Sequence, residues 1–129
     1  MRTQMENGKR VVLCVDDDRD ILEQLRLILE ANGFAPLLAE TAQSGLALYQ
    51  RQAPDLVVVD LMMEDLDAGL NLVRQIRARN REVPVFLLSS VGDQLYGQFD
   101  ASELGIQGVF QKPVEPDRLL SALTLALQS

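Results

Sequence analysis

Four consecutive apolar residues, Leu56, Val57, Val58 and Val59, run directly into an acid, Asp60. A run that is apolar at every position, and not only at alternate ones, fits a strand covered on both faces, as in a parallel sheet flanked by helices. In such sheets ligands bind beyond the carboxyl ends of the strands. A carboxylate at that end projects from a rigid scaffold into a crevice rather than into the core. An Asp that ends a single strand can equally cap a turn, so the reading depends on what the rest of the chain brings alongside it.

The same pattern recurs. Residues 11–15 form an apolar run that ends on Asp16, Asp17 and Asp18. Ile21, Leu22, Leu25, Ile28 and Leu29 then repeat at helical spacing, with Asp18 placed to cap the start and Gly33 to stop the end. Residues 34–39 predict a strand, but Pro36 has no N–H for a ladder bond and confines it to an edge. Thr41 caps a helix to about Gln52 with Ala42, Leu46 and Tyr49 inward, broken by Ala53-Pro54. Leu70, Val73 and Ile76 mark a third helix, whose closing Arg74, Arg77, Arg79 and Arg81 suit the negative end of its dipole. Residues 83–88 give a fourth buried run that ends on Ser89-Ser90. A helix over residues 93–104, weakened by Gly97 and closed by Gly105, comes next. A short fifth strand over residues 108–111 stops at Lys112-Pro113, and a last helix opens at Pro116 and carries Leu119, Leu120, Leu123 and Leu127.

Five strands alternating with five helices predict a doubly wound five-stranded parallel sheet in three layers, α/β/α and flavodoxin-like, with strand order 2-1-3-4-5. Strand 2 lies outside because of Pro36, and the switch point falls between strands 1 and 3. A chain of 129 residues suits one domain, over residues 10–129, after a polar mobile tail over residues 1–9. The formal charge of −7 argues against direct nucleic-acid binding, which needs clustered Lys and Arg. With no histidine, histidine-based zinc sites and Ser-His-Asp catalysis are excluded. The single cysteine, Cys14, sits in an apolar run and reads as a buried core residue. No apolar run is long enough for a membrane span and no secretory signal opens the chain, which predicts a cytoplasmic protein.

In the predicted sheet the tips of Asp16, Asp17 and Asp60 converge. Three carboxylates at adjacent strand ends repel one another unless a cation sits among them. A hard divalent ion such as Mg2+ is the natural occupant, because it prefers oxygen ligands and keeps an open side for a phosphoryl oxygen. Ser89 and Lys112, at the tips of strands 4 and 5, supply a hydroxyl and a positive charge for a phosphoryl group. Asp60, central among them, is the nucleophile.

On these residues the chain resembles the receiver domains of two-component response regulators, from Arg10 to Gln128. The matching stretches are Val15-Asp16-Asp17-Asp18, Asp60-Leu61-Met62-Met63, Leu88-Ser89-Ser90 and Lys112-Pro113-Val114. The resemblance implies that Asp60 is the phosphoacceptor. It assigns the metal to Asp17 directly, to Asp16 often through water, to Asp60 and to the backbone carbonyl of Met62. Ser89 and Lys112 contact the phosphoryl group, and the Lys112-Pro113 bond is cis. The phosphate donor is a histidine kinase or histidine phosphotransfer protein. The output is a conformational shift of the face made by the helix over residues 93–104, strand 5 and the last helix, where a downstream protein, an effector domain or a second copy docks; Tyr96 and Phe99 are candidate contacts. The chain is no enzyme on this reading beyond slow self-dephosphorylation, because Met62 and Val91 flank the water's path and neither holds a water well. Three departures stand out: Glu64-Asp65 follow the Met pair, Ala68 separates Asp67 from Gly69, and Val109 takes the place of an aromatic residue, with Phe110 one position later and facing the opposite side. The alternative is a docking module of the same fold that works without phosphorylation.

Overall fold

The computed structural model describes residues 8–61, 63, 66–90 and 104–128, with Leu66 by its backbone alone. Alternate side chains of each buried strand go to opposite faces, and this divides the core in two. On one face Leu13 and Val15 of β1 (Arg10–Val15), Val57 and Val59 of β3 (Leu56–Asp60) and Val85 and Leu87 of β4 (Val85–Ser89) meet Tyr49 of α2 (Ala42–Gln52) and Leu70, Val73 and Ile76 of α3 (Leu66–Arg79). On the other face Val12, Cys14, Leu56, Val58, Phe86 and Leu88 meet Leu22, Leu25 and Leu29 of α1 (Arg19–Ala31) and Leu119 and Leu123 of the last described helix, α4 (Pro116–Leu127). Truncating one such fully buried leucine to alanine costs about 2–5 kcal/mol.

The five strands are parallel in the order β2-β1-β3-β4-β5, with β2 (Phe34–Ala39) at one edge, as Pro36 requires, and β5 (Ile106–Gln111) at the other. The register aligns the strand tips. Val15 pairs with Ala39 and Val59, Asp60 with Leu88, and Ser89 with Gln111. β4 starts at Val85 because Pro84 can offer only its carbonyl, which accepts from Val57 N–H at 3.0 Å. β5 starts two residues before the expected Gly108. That glycine leaves room for the Phe86 ring, 3.4 Å from where a Cβ would stand, and the ring stacks on Phe110 with centroids 5.2 Å apart.

Helix ends follow the local chemistry. Asp18 caps α1 by accepting from Asp20 N–H at 2.9 Å, and Thr41 and Ser44 form a reciprocal capping box on α2. Pro116 opens α4, and the Lys112-Pro113 bond is cis. Arg77 does more than complement a helix dipole. Its guanidinium donates to four carbonyls: Val83 O and Leu104 O at 2.7 Å, Gly105 O at 2.9 Å and Asn80 O at 3.1 Å. It thereby ties the end of α3 to the chain leading into β4 and into β5.

The helix expected over residues 93–104 lies outside the described residues except for Leu104, and the expected tail does so except for Gly8 and Lys9. Among the described residues no helix is long and apolar enough to cross a membrane.

Candidate metal and phosphoacceptor site

β1 and β3 are neighbours, so the residues that follow their last paired positions, Val15 and Val59, stand side by side at the carboxyl end of the sheet. Those residues are Asp16 and Asp60, and both are buried, Asp60 to 2% exposure. Asp16 continues the ladder by donating its N–H to Ala39 O at 3.0 Å, while its Oδ1 accepts from Asp18 N–H at 2.9 Å. That turn projects Asp17 outward from the strand tip. Asp16, Asp17 and Asp60 each bring a carboxylate oxygen within 4.8 Å of the others.

Lys112 meets this cluster from β5. Its Nζ lies 2.9 Å from Asp16 Oδ2 and 3.3 Å from Asp60 Oδ1, and its backbone N–H donates to Ser89 O at 2.8 Å, extending the β4–β5 pairing past Gln111. Partial burial pulls the ammonium's pKa down, but the hydrogen bond and charge of Asp16, and then those of Asp60, outweigh it and hold the pKa above the ordinary lysine value. Lys112 is therefore a cation throughout the physiological range. Ser89, buried at the tip of β4, is one residue past the partner of Asp60.

The residues present fit a hard divalent cation. The donors are all carboxylate oxygens, two from buried residues and one from exposed Asp17. Asp16 Oδ2 is buried and stands 2.9 Å from Lys112 Nζ, so one carboxylate oxygen of the cluster residues is already desolvated. Cys14, two residues before, is not a competing ligand or nucleophile. Burial, and then the charge of Asp16, push its thiol up to about 12.

Asp16, Asp17, Asp60 and Lys112 thus come together as the sequence predicts, with Ser89 at the adjoining tip. Met62, whose carbonyl completes the expected metal set, lies outside the described residues, as do Val91, Tyr96, Phe99, Glu64 and Asp65. The expected split of Val109 and Phe110 is observed: Val109 packs with the α2/α3 face and Phe110 with the α1/α4 face. Gly69 is a position that sequence reasoning noted without giving it a role. A Cβ there would overlap the Asp60 carbonyl oxygen. The available signal was a glycine inside an otherwise helical stretch, which often marks a close approach of backbone.

A doubly wound sheet with paired acids on β1, one acid on β3 and a lysine after β5 defines the class of the domain. A sequence profile of the response regulator receiver domain matches residues 12–124, and the chain belongs to that family. Over 117 residues it is 33% identical to the response regulator MprA of Mycolicibacterium vanbaalenii, covering 91% of this chain and 50% of that protein. It is equally identical, over the same length, to the transcriptional regulatory protein GlrR of Escherichia coli K12, of which it covers 26%. The chain thus spans half or less of these relatives. Among solved structures it superposes on a CheY-like receiver domain protein from Methanospirillum hungatei with a TM-score of 0.84 at 26% identity, covering 94% of this chain and 95% of that one. For the receiver domain of NtrX from Brucella abortus the TM-score is 0.82 at 31% identity, covering 92% and 98%. The chain is a receiver domain of the two-component signalling class.

Proposed function

We propose that the domain carries a two-component signal by accepting a phosphoryl group on Asp60. The observation that carries this reading is the convergence of Lys112 on Asp16 and Asp60 at 2.9 and 3.3 Å, beside a three-carboxylate cluster. In the transfer a carboxylate oxygen of Asp60 attacks phosphorus of a phosphohistidine, the P–N bond breaks, and the imidazole nitrogen leaves and takes up a proton. Asp60 becomes an acyl phosphate. Asp16, Asp17 and Asp60 would hold Mg2+, with the backbone carbonyl of Met62 in the expected ligand set, and the ion would neutralise charge on the transferring group. Lys112 exchanges its contact with Asp60 for the incoming phosphoryl oxygens, and the Ser89 hydroxyl donates to another.

The donor is a histidine kinase or histidine phosphotransfer protein in the cytoplasm. The output is a population shift of the face around β5 and α4 toward a downstream protein, an effector domain or a second copy. The chain is not an enzyme in its own right beyond slow self-dephosphorylation. Incubation with a small acyl phosphate, with and without MgCl2, tests the reading by intact mass. A gain of one phosphoryl group that requires Mg2+ and is lost in Asp60→Asn is expected. Undiminished labelling of Asp60→Asn would overturn the assignment, and labelling without any divalent ion would remove the metal from it.

A further inference from the structure

We infer that Gly69 is a positioning residue for Asp60, acting on the peptide group that follows the carboxylate. The inference rests on the reading of Asp60 and its neighbours as a metal and phosphoacceptor site. The Asp60–Leu61 peptide is held on both of its polar ends. Its N–H, from Leu61, donates to Leu88 O of β4 at 2.9 Å. Its C=O, from Asp60, abuts Gly69 in the first turns of α3 so closely that a Cβ at position 69 would overlap the oxygen and stand 3.2 Å from Leu61 O as well. Gly69 is buried, so the added atom has nowhere else to go. Both obstructing atoms are backbone, and backbone cannot step aside by changing rotamer.

A side chain at position 69 therefore forces one of two displacements. Either α3 lifts away from the sheet, or the peptide rotates and carries the end of β3 with it. Both move Asp60 relative to Asp16, Asp17 and Lys112, which approach it from the tips of β1 and β5 and not from β3. A small divalent ion tolerates little error in its oxygen ligands, and the contact of Lys112 with Asp60 at 3.3 Å is already long for a charge-assisted hydrogen bond. The absence of one methyl group in α3 thus sets where the nucleophile stands. The Ala68-Gly69 pair, which separates the glycine from Asp67, is explained by the same contact: the glycine falls where the helix crosses the carbonyl.

Gly45 provides the internal control. It too is a buried helical glycine, on α2, and a Cβ there would meet Val15 Cγ2 at 2.9 Å and Cγ1 at 3.2 Å, which are side-chain atoms. In both helices glycine to alanine favours helix formation, so propensity does not separate the two variants. Wild type, Gly69→Ala and Gly45→Ala are compared by Mg2+ titration calorimetry and by amide spectra of the metal-free proteins. Gly69→Ala is expected to weaken Mg2+ about 10- to 100-fold, the range seen when supports of metal ligands are removed, and to shift the metal-free amides of Asp60, Leu61 and Lys112. Gly45→Ala is expected to keep Mg2+ affinity within about threefold, with its spectral changes centred on β1, α2 and Leu72 of α3. A folded Gly69→Ala with wild-type affinity and unshifted Asp60 overturns the inference. If wild type binds no Mg2+, the metal reading falls and Gly69 is judged on the metal-free shifts alone. Should Gly69→Ala not fold in buffer, the measurement is made in trimethylamine oxide, which favours the folded state without entering the site. Failure to fold even there overturns the inference, because Gly69 would then serve the fold and not the site.

Discussion

β3 carries a buried aspartate at each end, and the two have opposite surroundings. Asp55, 6% exposed just before the strand, accepts the Val11 N–H through Oδ2 at 2.8 Å and donates its own N–H to Val11 O at 2.8 Å. It stands in for a backbone carbonyl and stitches β1 to β3 at the amino end of the sheet. Asp60, 2% exposed at the carboxyl end, faces two further carboxylates and one ammonium. Burial alone therefore does not distinguish the two acids. The contacts differ: at one end a carboxylate fixed to the backbone N–H of Val11, at the other charges that a cation or phosphoryl group can rearrange.

This contrast can be broken or sharpened by experiment. The largest effect expected is all-or-none: Asp60→Asn reduces phosphoryl incorporation to background, whereas Asp55→Ala retains it. Loss of labelling in a folded Asp55→Ala would erase the distinction. Next in size, Asp55→Ala leaves the buried Val11 N–H without its acceptor and should lower unfolding free energy by about 1–3 kcal/mol in urea titration. A change within experimental scatter would show that water replaces the carboxylate at no cost. Smaller still is the effect of metal. Mg2+ at about ten times its dissociation constant should stabilise wild type and Asp55→Ala by about 1.4 kcal/mol, but not Asp16→Asn or Asp60→Asn to the same degree. Equal stabilisation of all four would place the ion elsewhere.

The smallest effect is at alkaline pH. The pKa of Lys112 is raised in the folded state, so its contribution to stability is complete below the ordinary lysine value of 10.5 and is lost as pH rises through the higher folded value. As pH rises above 10.5 wild type and Asp55→Ala should lose melting temperature in parallel, while Lys112→Met loses less, since it has no ammonium to titrate. Parallel curves for all three would mean that Lys112 adds nothing at the Asp60 end.

The sheet was legible because its information is local. Runs such as residues 56–59 and 11–15 state their own burial, Pro36 states an edge, and Asp18 and Thr41 state where helices begin. The site was legible for the same reason: its acids and its lysine sit at strand ends, so the strand order alone assembles them. What stayed hidden depends on contacts through space between segments. Asp55 reads in sequence as an ordinary acid before a strand, and nothing nearby reveals Val11 across the sheet. Gly69 looks like a weak point in a helix until the Asp60 carbonyl is seen against it. Arg77 looks like its three neighbouring arginines, because the carbonyls it binds include two that lie 27 and 28 residues further on.

Those separations bear on time rather than on equilibrium. A guanidinium that bonds Val83 O, Leu104 O and Gly105 O can close its grip only after the chain leading into β4 and into β5 has come into place, so the grip belongs to the last part of folding. Interactions absent from the transition state act on the unfolding rate. Losing hydrogen bonds to a charged group, at about 1.5–3 kcal/mol, should therefore raise the unfolding arm of an Arg77→Met chevron roughly 10- to 150-fold and leave the refolding arm in place. A slowed refolding arm would put the grip in the nucleus instead. An unfolding arm raised in this way would make Arg77 a latch at the far end of the sheet that presents Asp60.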